Sequence, residues 1–241
     1  MEISVVLPSY REAANLEVLL PELKRNLDAL GKDYEILVVD TMEPMDNTEE
    51  ICLQNSVRYV PREGGNQYGD AIRTGIKRAE GVFLTVMDAD GSHNSADISR
   101  LYSCMTEENC DLVIGSRYCK GGYTDNPFLL RLMSRVLNLT YRIVFGIKVK
   151  DVSNSFRMYR SEQLRKLQLL CSHFDIVEEI LIQLNCTFHP FLIREVPIVF
   201  SKRAAGESKR SLGQFILSYL HTMRRLLKIK KECERRNNEK E

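Results

Sequence analysis

The sequence predicts an α/β fold in which a mostly parallel sheet is covered by helices on both faces. In the first half of the chain, short β-branched runs alternate with longer segments whose apolar residues recur at helical spacing. The strand-like runs are almost continuously apolar, which is typical of strands buried on both faces of a sheet. Polar residues follow the ends of these runs, where sheets of this class bind their ligands.

Nine elements are predicted in order before residue 120. The five strands are "ISVVLPS", "YEILVVD", "VRYVP", "VFLTVMD" and "CDLVIGSRY", each an apolar or β-branched run. The first helix, "REAANLEVLLPELKRNLDALG", stops at Gly31, and the second, "NTEEICLQ", has Asn47 as its N-cap. The third, "GDAIRTGIKRAEG", is predicted to end at Gly81, and "NSADISRLYSCMTEE" is the fourth.

The alternation lapses after about residue 120. The segment "PFLLRLMSRVLNLTYRIVFG" is predicted to be an apolar helix with arginines interleaved, and "IREVPIVFSKR" a late strand. The segment "SLGQFILSYLHTMRRLLKIKKECERR" predicts a long basic amphipathic helix. We therefore expect one domain over residues 1–212, followed by a basic helix and charged tail over residues 213–241.

The composition limits the classes of protein to which the chain can belong. The chain has 241 residues, of which 44% are hydrophobic and 28% charged, as in globular domains. A net charge of +1 gives no argument for a nucleic-acid partner. Seven scattered cysteines without a CxxC pair indicate reduced thiols in the cytoplasm. The N-terminus has no signal-peptide pattern, and no apolar run reaches the roughly 18 residues of a spanning helix.

Two carboxylates, Asp88 and Asp90, follow the fourth strand. Side chains at i and i+2 of an extended chain point the same way, and two carboxylates on one side repel unless a cation lies between them. Mg²⁺ or Mn²⁺ would suit such oxygen ligands and would also bind substrate phosphates. The alternative is an ordinary turn at the end of the strand, where Asp and Gly are common.

Asp40 ends the second strand in the same manner. Its carboxylate could accept hydrogen bonds from a nucleotide base or ribose, or it could be a turn residue. The first strand–helix turn, "PSYREAAN", lacks the G-x-G-x-x-G of dinucleotide-binding enzymes, and no P-loop pattern is present. The glycine-rich stretch "REGGNQYGDA" matches neither pattern, so both classes are disfavoured.

Seven blocks, in order, resemble a known family. They are "VVLPSYREAANL", "EILVVD", "GDAIRTGIKRA", "VMDADGSHN", "LVIGSRYCKGG", "DVSNSFRMYR" and "REVPIVFSKRAAGESKRS". Together they look like the dolichyl-phosphate mannosyltransferase group within family 2 of the inverting, metal-dependent glycosyltransferases. The resemblance implies a GT-A fold, a nucleotide-sugar donor, a polyprenyl-phosphate acceptor, and Mg²⁺ or Mn²⁺ as cofactor.

The resemblance also implies which residues bind the donor and the metal. P-x-Y-x-E lines the nucleotide, and D-x-D holds the metal and the donor diphosphate. The implied donor-binding residues are Pro8, Tyr10, Glu12, Asp40, Asp88, Ala89, Asp90, Arg117, Arg203 and Lys209. The implied metal ligands are Asp88, Asp90 and Ser92.

Catalytic and acceptor roles follow from the same blocks. Asp90, Arg117 and Arg203 are the implied catalytic residues, and Arg131 with Ser134 would approach the acceptor phosphate. Structural alternatives stay open. Arg117 could form a surface ion pair, and Arg131 and Arg135 could belong to a solvated helix face. Tyr10 could be a core residue, and Glu12 an exposed acid in the first turn of a helix. His93, which follows the D-x-D, is expected to be structural rather than a base.

The donor and the membrane contact stay open. GDP-mannose is the first expectation, but Thr41 and the absence of Gly-Ser depart from the family's Asp-Asp-Gly-Ser. The alternatives are another sugar, moved to a lipid phosphate or a surface glycan, and a non-catalytic nucleotide-sugar-binding subunit. A lipid acceptor requires a membrane surface, reached through the helix after residue 127 or the C-terminal helix, or through a membrane-anchoring partner subunit. We therefore expect peripheral association with the cytosolic face of a membrane.

Overall fold

The computed structural model describes residues 1–201 and 212–238. The strands are β1 (Ile3–Pro8), β2 (Tyr34–Asp40), β3 (Arg58–Pro61), β4 (Phe83–Val86), β5 (Leu112–Ser116), β6 (Tyr123–Thr124), β7 (Arg157–Arg160), β8 (Ile193–Pro197) and β9 (Val199–Phe200). The helices are α1 (Ala13–Leu30), α2 (Thr48–Gln54), α3 (Tyr68–Arg78), α4 (Ile98–Glu107), α5 (Phe128–Phe145), α6 (Ser161–Leu164), α7 (Ile176–Thr187) and α8 (Leu212–Asn238). A 3₁₀ turn, Ser95–Asp97, precedes α4.

The main sheet has seven strands in the order β3-β2-β1-β4-β7-β5-β8. Strand β7 runs antiparallel to both neighbours, β4 and β5, and the other strand pairs are parallel. The chain leaves β1 toward β2 on one side and later returns to β4 on the other. This reversal of strand order is where open α/β sheets form a ligand crevice. The predicted mostly parallel sheet is confirmed.

Both faces of the sheet are buried. Along β2, Ile36 and Val38 pack on one side, where α1, α2 and α4 lie, while Leu37 and Val39 pack on the opposite side. The second side is covered by α3, α5, α7 and α8. This alternation of buried side chains explains why the strands read as continuous apolar runs.

The predicted helix ends are partly right. Gly31 closes α1 in the left-handed conformation, with φ at 63°. Asn47 occupies the N-cap position of α2, but its side chain forms no capping bond; Asp46 Oδ1 instead accepts the Thr48 N–H at 3.0 Å. Helix α3 ends at Arg78, three residues before the predicted stop at Gly81.

Several elements after residue 120 were not predicted: β6, β7, α6 and α7. Helix α7 is buried on nearly every side, so its sequence lacks the polar stripe by which a surface helix is recognised. Strand β7, "RMYR", begins and ends in arginine. The predicted late strand divides into β8 in the main sheet and β9, which pairs with β6 in a second sheet.

The side chains that the structure describes in α8 pack against the domain, and a membrane contact of this helix stays a prediction. Leu226 is fully buried in the core beside α7, and Met223 and Leu227 pack against the same cluster. These three side chains therefore face protein, whereas the apolar side chains between residues 215 and 220 lie outside the described side chains of the helix. The predicted boundary at residue 212 stays a prediction. Among the described residues, no helix combines the length and apolar character needed to cross a bilayer.

Candidate active site

A cleft of about 570 Å³ opens at the carboxyl edge of the sheet, beyond the ends of β1 and β4. Its position matches the reversal of strand order. Six of the predicted site residues line it: Pro8, Tyr10, Glu12, Asp88, Ala89 and Asp90. The other described lining residues are Ser9, Met45, Arg62, Asn66, Gln67, Tyr68, His173 and Phe174.

The turn after β1 presents Tyr10 and Glu12 to the cleft. Arg11, between them, has a left-handed φ of 57°, an uncommon conformation for a residue other than glycine. Tyr10 is 52% exposed, so it is not the core residue that an alternative interpretation would make it. The Glu12 carboxylate accepts a hydrogen bond from Asn15 Nδ2 at 2.6 Å.

Asp88 and Asp90 both follow the end of β4, and Asp90 lies in a turn. Strand β4 ends at Val86, and Gly91 closes the turn with φ at 75°. The argument from i and i+2 spacing on a strand is therefore wrong, although both carboxylates do line the cleft. Asp90 is only 6% exposed, and its Oδ1 accepts the Ser92 N–H at 3.0 Å.

Three groups orient Asp88. Its Oδ2 accepts a hydrogen bond from Ser155 Oγ at 3.0 Å, and its Oδ1 accepts a longer one from Tyr68 OH at 3.4 Å. Its backbone N–H donates to His93 Nδ1 at 3.2 Å. Burial and the charge of Asp88 raise the pKa of Tyr68 well above its usual range, so the phenol remains a donor.

The donor set fits a hard divalent cation. Asp88 and Asp90 line the cleft and offer carboxylate oxygens. Ser92 is buried and is not among the described lining residues, so its role as a metal ligand stays a prediction, although its Oγ has no hydrogen-bond partner among the described residues. No group of three or more His, Cys, Asp or Glu side chains in the described chain could hold an ion. Mg²⁺ is commonly held by one or two carboxylates and completed by water and substrate phosphates. The site therefore fits Mg²⁺ or Mn²⁺ bound together with a diphosphate.

Asp40 lies behind the cleft and is not among its described lining residues. It is almost fully buried, its Oδ1 finds no partner in the part of the chain that the structure describes, and burial raises its pKa. Its backbone carbonyl accepts the N–H of Arg62 at 2.9 Å. The Arg62 guanidinium donates to the carbonyls of Ser9 and Asn66, which fixes a positive charge in the cleft wall.

Arg117 does not line the cleft. Its Nε and Nη2 bind Asp151 Oδ2 and Oδ1 at 2.8 and 2.7 Å, and Ser153 Oγ lies 3.1 Å from Nη2. The Asp151 side chain is fully buried. The ion-pair alternative is thus what the structure shows, although the pair is buried rather than at the surface. A catalytic role for Arg117 stays a prediction.

The predicted acceptor residues lie on α5. Arg131 and Ser134 are half-buried and are not among the described lining residues of the cleft, so their contact with an acceptor phosphate stays a prediction. The two remaining basic residues, Arg203 and Lys209, lie outside the described residues.

Four important residues of the cleft were not predicted from the sequence: Arg62, Tyr68, His173 and Phe174. Arg62 follows the end of β3, so the rule that polar strand ends face the ligand would have found it. The Tyr68 and Phe174 rings stack with centroids 4.2 Å apart although they are far apart in sequence. The loop that carries His173 and Phe174 had no recognisable signal.

Comparison with solved structures defines the class of fold. Glucosyl-3-phosphoglycerate synthase from Mycobacterium tuberculosis, in complex with Mn²⁺, UDP and phosphoglyceric acid, superposes with a TM-score of 0.73 at 22% identity, covering 95% of this chain and 78% of that one. The same enzyme with Mg²⁺ and UDP gives 0.71 at 20% identity, covering 95% and 79%. The fold is the GT-A fold of glycosyltransferases, as expected.

Residues 4–168 match glycosyl transferase family 2, and the chain belongs to that family. A dolichol-phosphate mannosyltransferase of Pyrococcus furiosus is 34% identical over 98% of this chain and 66% of its own length. A polyprenol monophosphomannose synthase of Mycolicibacterium smegmatis is 32% identical over 86% of this chain and 80% of its own length. This chain thus spans about two thirds of the length of the Pyrococcus relative.

Proposed function

We propose that the protein transfers a sugar from a nucleotide sugar to a polyprenyl phosphate, with inversion at the anomeric carbon and with Mg²⁺ or Mn²⁺ as cofactor. Mannose from GDP-mannose is the leading donor, because two relatives above 30% identity are named for mannose transfer to such lipids. The observation that carries the proposal is the placement of Asp88 and Asp90 in one cleft at the strand-order reversal.

The chemistry needs no strong base. A phosphate monoester has a second pKa of about 6 and is largely ionised at neutral pH, so its oxygen is already nucleophilic. A bound divalent ion would supply neutralisation of charge on the departing diphosphate. Attack from the side opposite the diphosphate inverts the anomeric centre. This reaction is consistent with a cleft of carboxylates and hydrogen-bond donors.

The residues of the chain bind and orient the donor. Asp88 and Asp90 hold the metal–diphosphate end, and their hydrogen-bonded positions lower the cost of organising the site. Arg62 places a guanidinium in the same cleft wall. A hydrogen bond from the base or ribose to Asp40 stays part of the proposal, and it requires the wall of the cleft to open, because Asp40 is buried and is not among the described lining residues. Arg203 and Lys209 are proposed to close on the phosphates.

Helix α5 is the proposed membrane contact. Leu132, Val136, Leu139 and Ile143, the α5 stripe, recur at helical spacing and are 47% to 73% exposed. Arg135 and Arg142 are also exposed on this helix. An apolar stripe beside basic residues suits the interface of an anionic bilayer. The helix also carries Arg131 and Ser134, so the same contact would bring the acceptor phosphate to the domain. A membrane-anchoring partner subunit and a cytosolic-face location remain part of the proposal.

The direct test is sugar transfer by the purified chain. GDP-mannose, a short polyprenyl phosphate and Mn²⁺ should give a mannosyl lipid, and Asp90→Ala should lower the rate by more than about 100-fold, since even the outer partners of metal ligands are worth 10–100-fold. The control is Asp33→Ala, which removes an exposed carboxylate just before β2, at the end of the sheet opposite the cleft. This variant should transfer sugar at the wild-type rate. Full activity of Asp90→Ala would exclude the metal assignment.

A different donor is the second candidate. The loop after β2 departs from the family pattern: buried Thr41 donates to the Glu43 carbonyl at 2.6 Å, and Met45 lines the cleft. The structural neighbours hold UDP or UDP-glucose. Transfer from a UDP-sugar, with none from GDP-mannose, would select this candidate. Nucleotide-sugar binding without transfer from any donor would select a non-catalytic subunit.

A further inference from the structure

His93 lies behind the segment that carries Asp88 and Asp90, and it is not among the described residues that line the cleft. Its side chain is fully buried. The imidazole stacks on Phe156, with centroids 4.9 Å apart and planes at 23°, and meets the edge of Phe200 at 5.2 Å and 72°. The ring is therefore held in one plane by two aromatic neighbours.

Each ring nitrogen has one hydrogen-bond partner, and both partners require the same tautomer. The Asp88 carboxylate also approaches the ring, with Oδ2 at 3.9 Å from Nδ1, beyond hydrogen-bond distance. At one end, the Asp88 backbone N–H can only donate, so His93 Nδ1 must carry a lone pair. At the other end, Asn154 Nδ2 donates to the Gly115 carbonyl at 2.5 Å, which turns Asn154 Oδ1 toward His93 Nε2 at 3.1 Å. Because that oxygen can only accept, Nε2 must carry the proton.

We propose that His93 is a positioning residue for the carboxylate pair, held by Asn154 so that Nε2–H donates to the Asn154 amide oxygen and Nδ1 accepts the Asp88 backbone N–H. The consequence for the site rests on the proposed function, since Asp88 matters as a metal ligand only there. The assignment of the tautomer does not rest on the proposed function. With both ring nitrogens engaged away from the cleft, His93 has no lone pair to offer a substrate as a base.

The segment before β7 holds Asp88 at two points. Asn154 acts on the backbone through His93, while the next residue, Ser155, donates directly to Asp88 Oδ2. The antiparallel β7 lies next to β4, which brings this segment beside the turn that follows β4. The insertion of β7 into the parallel sheet therefore supports the carboxylate pair from a distant part of the sequence.

The tautomer can be measured without any substitution. Long-range ¹H–¹⁵N correlation spectra of ¹⁵N-histidine-labelled wild-type protein near neutral pH distinguish a protonated from an unprotonated ring nitrogen. We expect the His93 signal, assigned by its loss in a His93 variant, to show Nδ1 unprotonated and Nε2 protonated. An Nδ1–H tautomer or an imidazolium would overturn the proposal.

Two substitutions of His93 distinguish the role of Nδ1 from that of Nε2. An Asn side chain can place an acceptor near the position of Nδ1, while a Gln side chain can place a donor near that of Nε2. Mn²⁺ binding in the presence of nucleotide can be measured by electron paramagnetic resonance. His93→Gln should weaken this binding by about 10–100-fold, whereas His93→Asn should bind Mn²⁺ nearly as tightly as the wild type. Thermal unfolding would verify that both variants fold.

Two results bear differently on the two proposals. Equal Mn²⁺ affinity of His93→Gln and wild type, or weaker binding by His93→Asn than by His93→Gln, would overturn the positioning role. If wild-type protein bound no Mn²⁺ with any nucleotide, the proposed function would fail, and the tautomer spectrum alone would decide the inference about His93.

Discussion

Asp151 holds the Arg117 guanidinium through Nε and Nη2, and the same carboxylate accepts the Arg117 backbone N–H at 2.9 Å. The acid is fully buried and the Arg117 side chain is 10% exposed. An ion pair in this setting is expensive to break, because the remaining charge stays buried without compensation. The arginine therefore has a structural role that does not depend on any role toward a phosphate.

Replacing Arg117 by Met should destabilise the protein by about 3–5 kcal/mol, because Asp151 would lose its buried partner. The free energy of unfolding in urea measures the effect. The matched control is Arg194→Met, which breaks a 2.6 Å pair with Glu108 whose side chains are 45% and 49% exposed. That variant should lose much less, because solvent screens an exposed pair. Equal losses in the two variants would contradict a structural role for the buried pair.

At the scale of elements, α5 and α8 show what amphipathicity does and does not reveal. Both segments carry apolar residues at helical spacing beside arginines and were predicted as possible membrane contacts. The described apolar side chains of α8 pack against the core beside α7, whereas the α5 stripe remains exposed. Periodicity identifies a helix with an apolar face, but only the neighbouring elements decide whether protein covers that face.

Substituting Val136 and Ile143 of the α5 stripe by Glu should lower binding to vesicles of mixed zwitterionic and anionic lipids by more than about 10-fold, since each buried aliphatic side chain contributes roughly 1.5–3 kcal/mol. Co-sedimentation with the vesicles measures it. Val18→Glu is the control: this valine of α1 is 72% exposed, like Ile143 at 73%, and lies outside the stripe. An equal loss in the control, or none in the double variant, would refute the contact.

Helix α7 carries a carboxyl group in the core, Glu178. Burial raises its pKa to about 7 from an ordinary 4.5, although the fully buried Arg157 opposes the rise. The unfolded chain releases this proton near pH 4.5 and the fold near pH 7, so the folded state holds more protons between these values. The resulting stabilisation is fully present below pH 4.5 and is lost as pH rises through about 7.

We therefore expect Glu178→Gln to flatten the pH dependence of stability. From pH 5 to pH 8 the wild type should lose roughly 3 kcal/mol that the variant keeps. Urea unfolding across this range measures the difference. Glu162→Gln is the control, because Glu162 is exposed and its ion pair with Lys166 lowers its pKa, which leaves this pH window unchanged. A profile unchanged by Glu178→Gln would contradict the expectation.

At the scale of the whole molecule, the cleft is assembled from segments far apart in sequence. The ends of β1, β3 and β4 supply Tyr10, Arg62 and Asp90, and the loop before α7 adds Phe174. That loop is anchored to α3, because the Gly69 N–H donates to the Ser172 carbonyl at 2.8 Å. A Cβ at Gly69 would clash with the Cys171 carbonyl oxygen, so a larger residue does not fit there. A ligand in the cleft contacts several elements at once and should stabilise the entire fold.

A panel of GDP-, UDP- and dTDP-sugars with Mn²⁺ should therefore identify the donor. At a concentration about 100 times its Kd, a ligand adds about 2.7 kcal/mol to the free energy of unfolding, or roughly 5–10 °C in Tm for a chain of this size. The shift should be largest for GDP-mannose and should fall sharply in Asp90→Ala. Equal shifts from all nucleotides, or none from any, would contradict a selective donor site.

Local sequence determined the sheet strands, the principal helices and the strand-end residues of the cleft. Apolar period and turn chemistry act over a few residues, so β1 to β5 and the placement of Asp88 and Asp90 beyond β4 followed from them. The ordered blocks determined the family, which the match over residues 4–168 confirms.

Tertiary structure alone decided the partners of those residues. It paired Arg117 with Asp151, and by inserting β7 it brought Ser155 to Asp88 and Asn154 to His93. It also stacked Phe174 on Tyr68, and it covered the described apolar side chains of α8 while leaving the α5 stripe exposed. Each of these contacts joins residues more than 30 positions apart in the chain or depends on which element packs over another. Such contacts leave no periodic trace in the sequence, because their energies arise only once the elements are packed together.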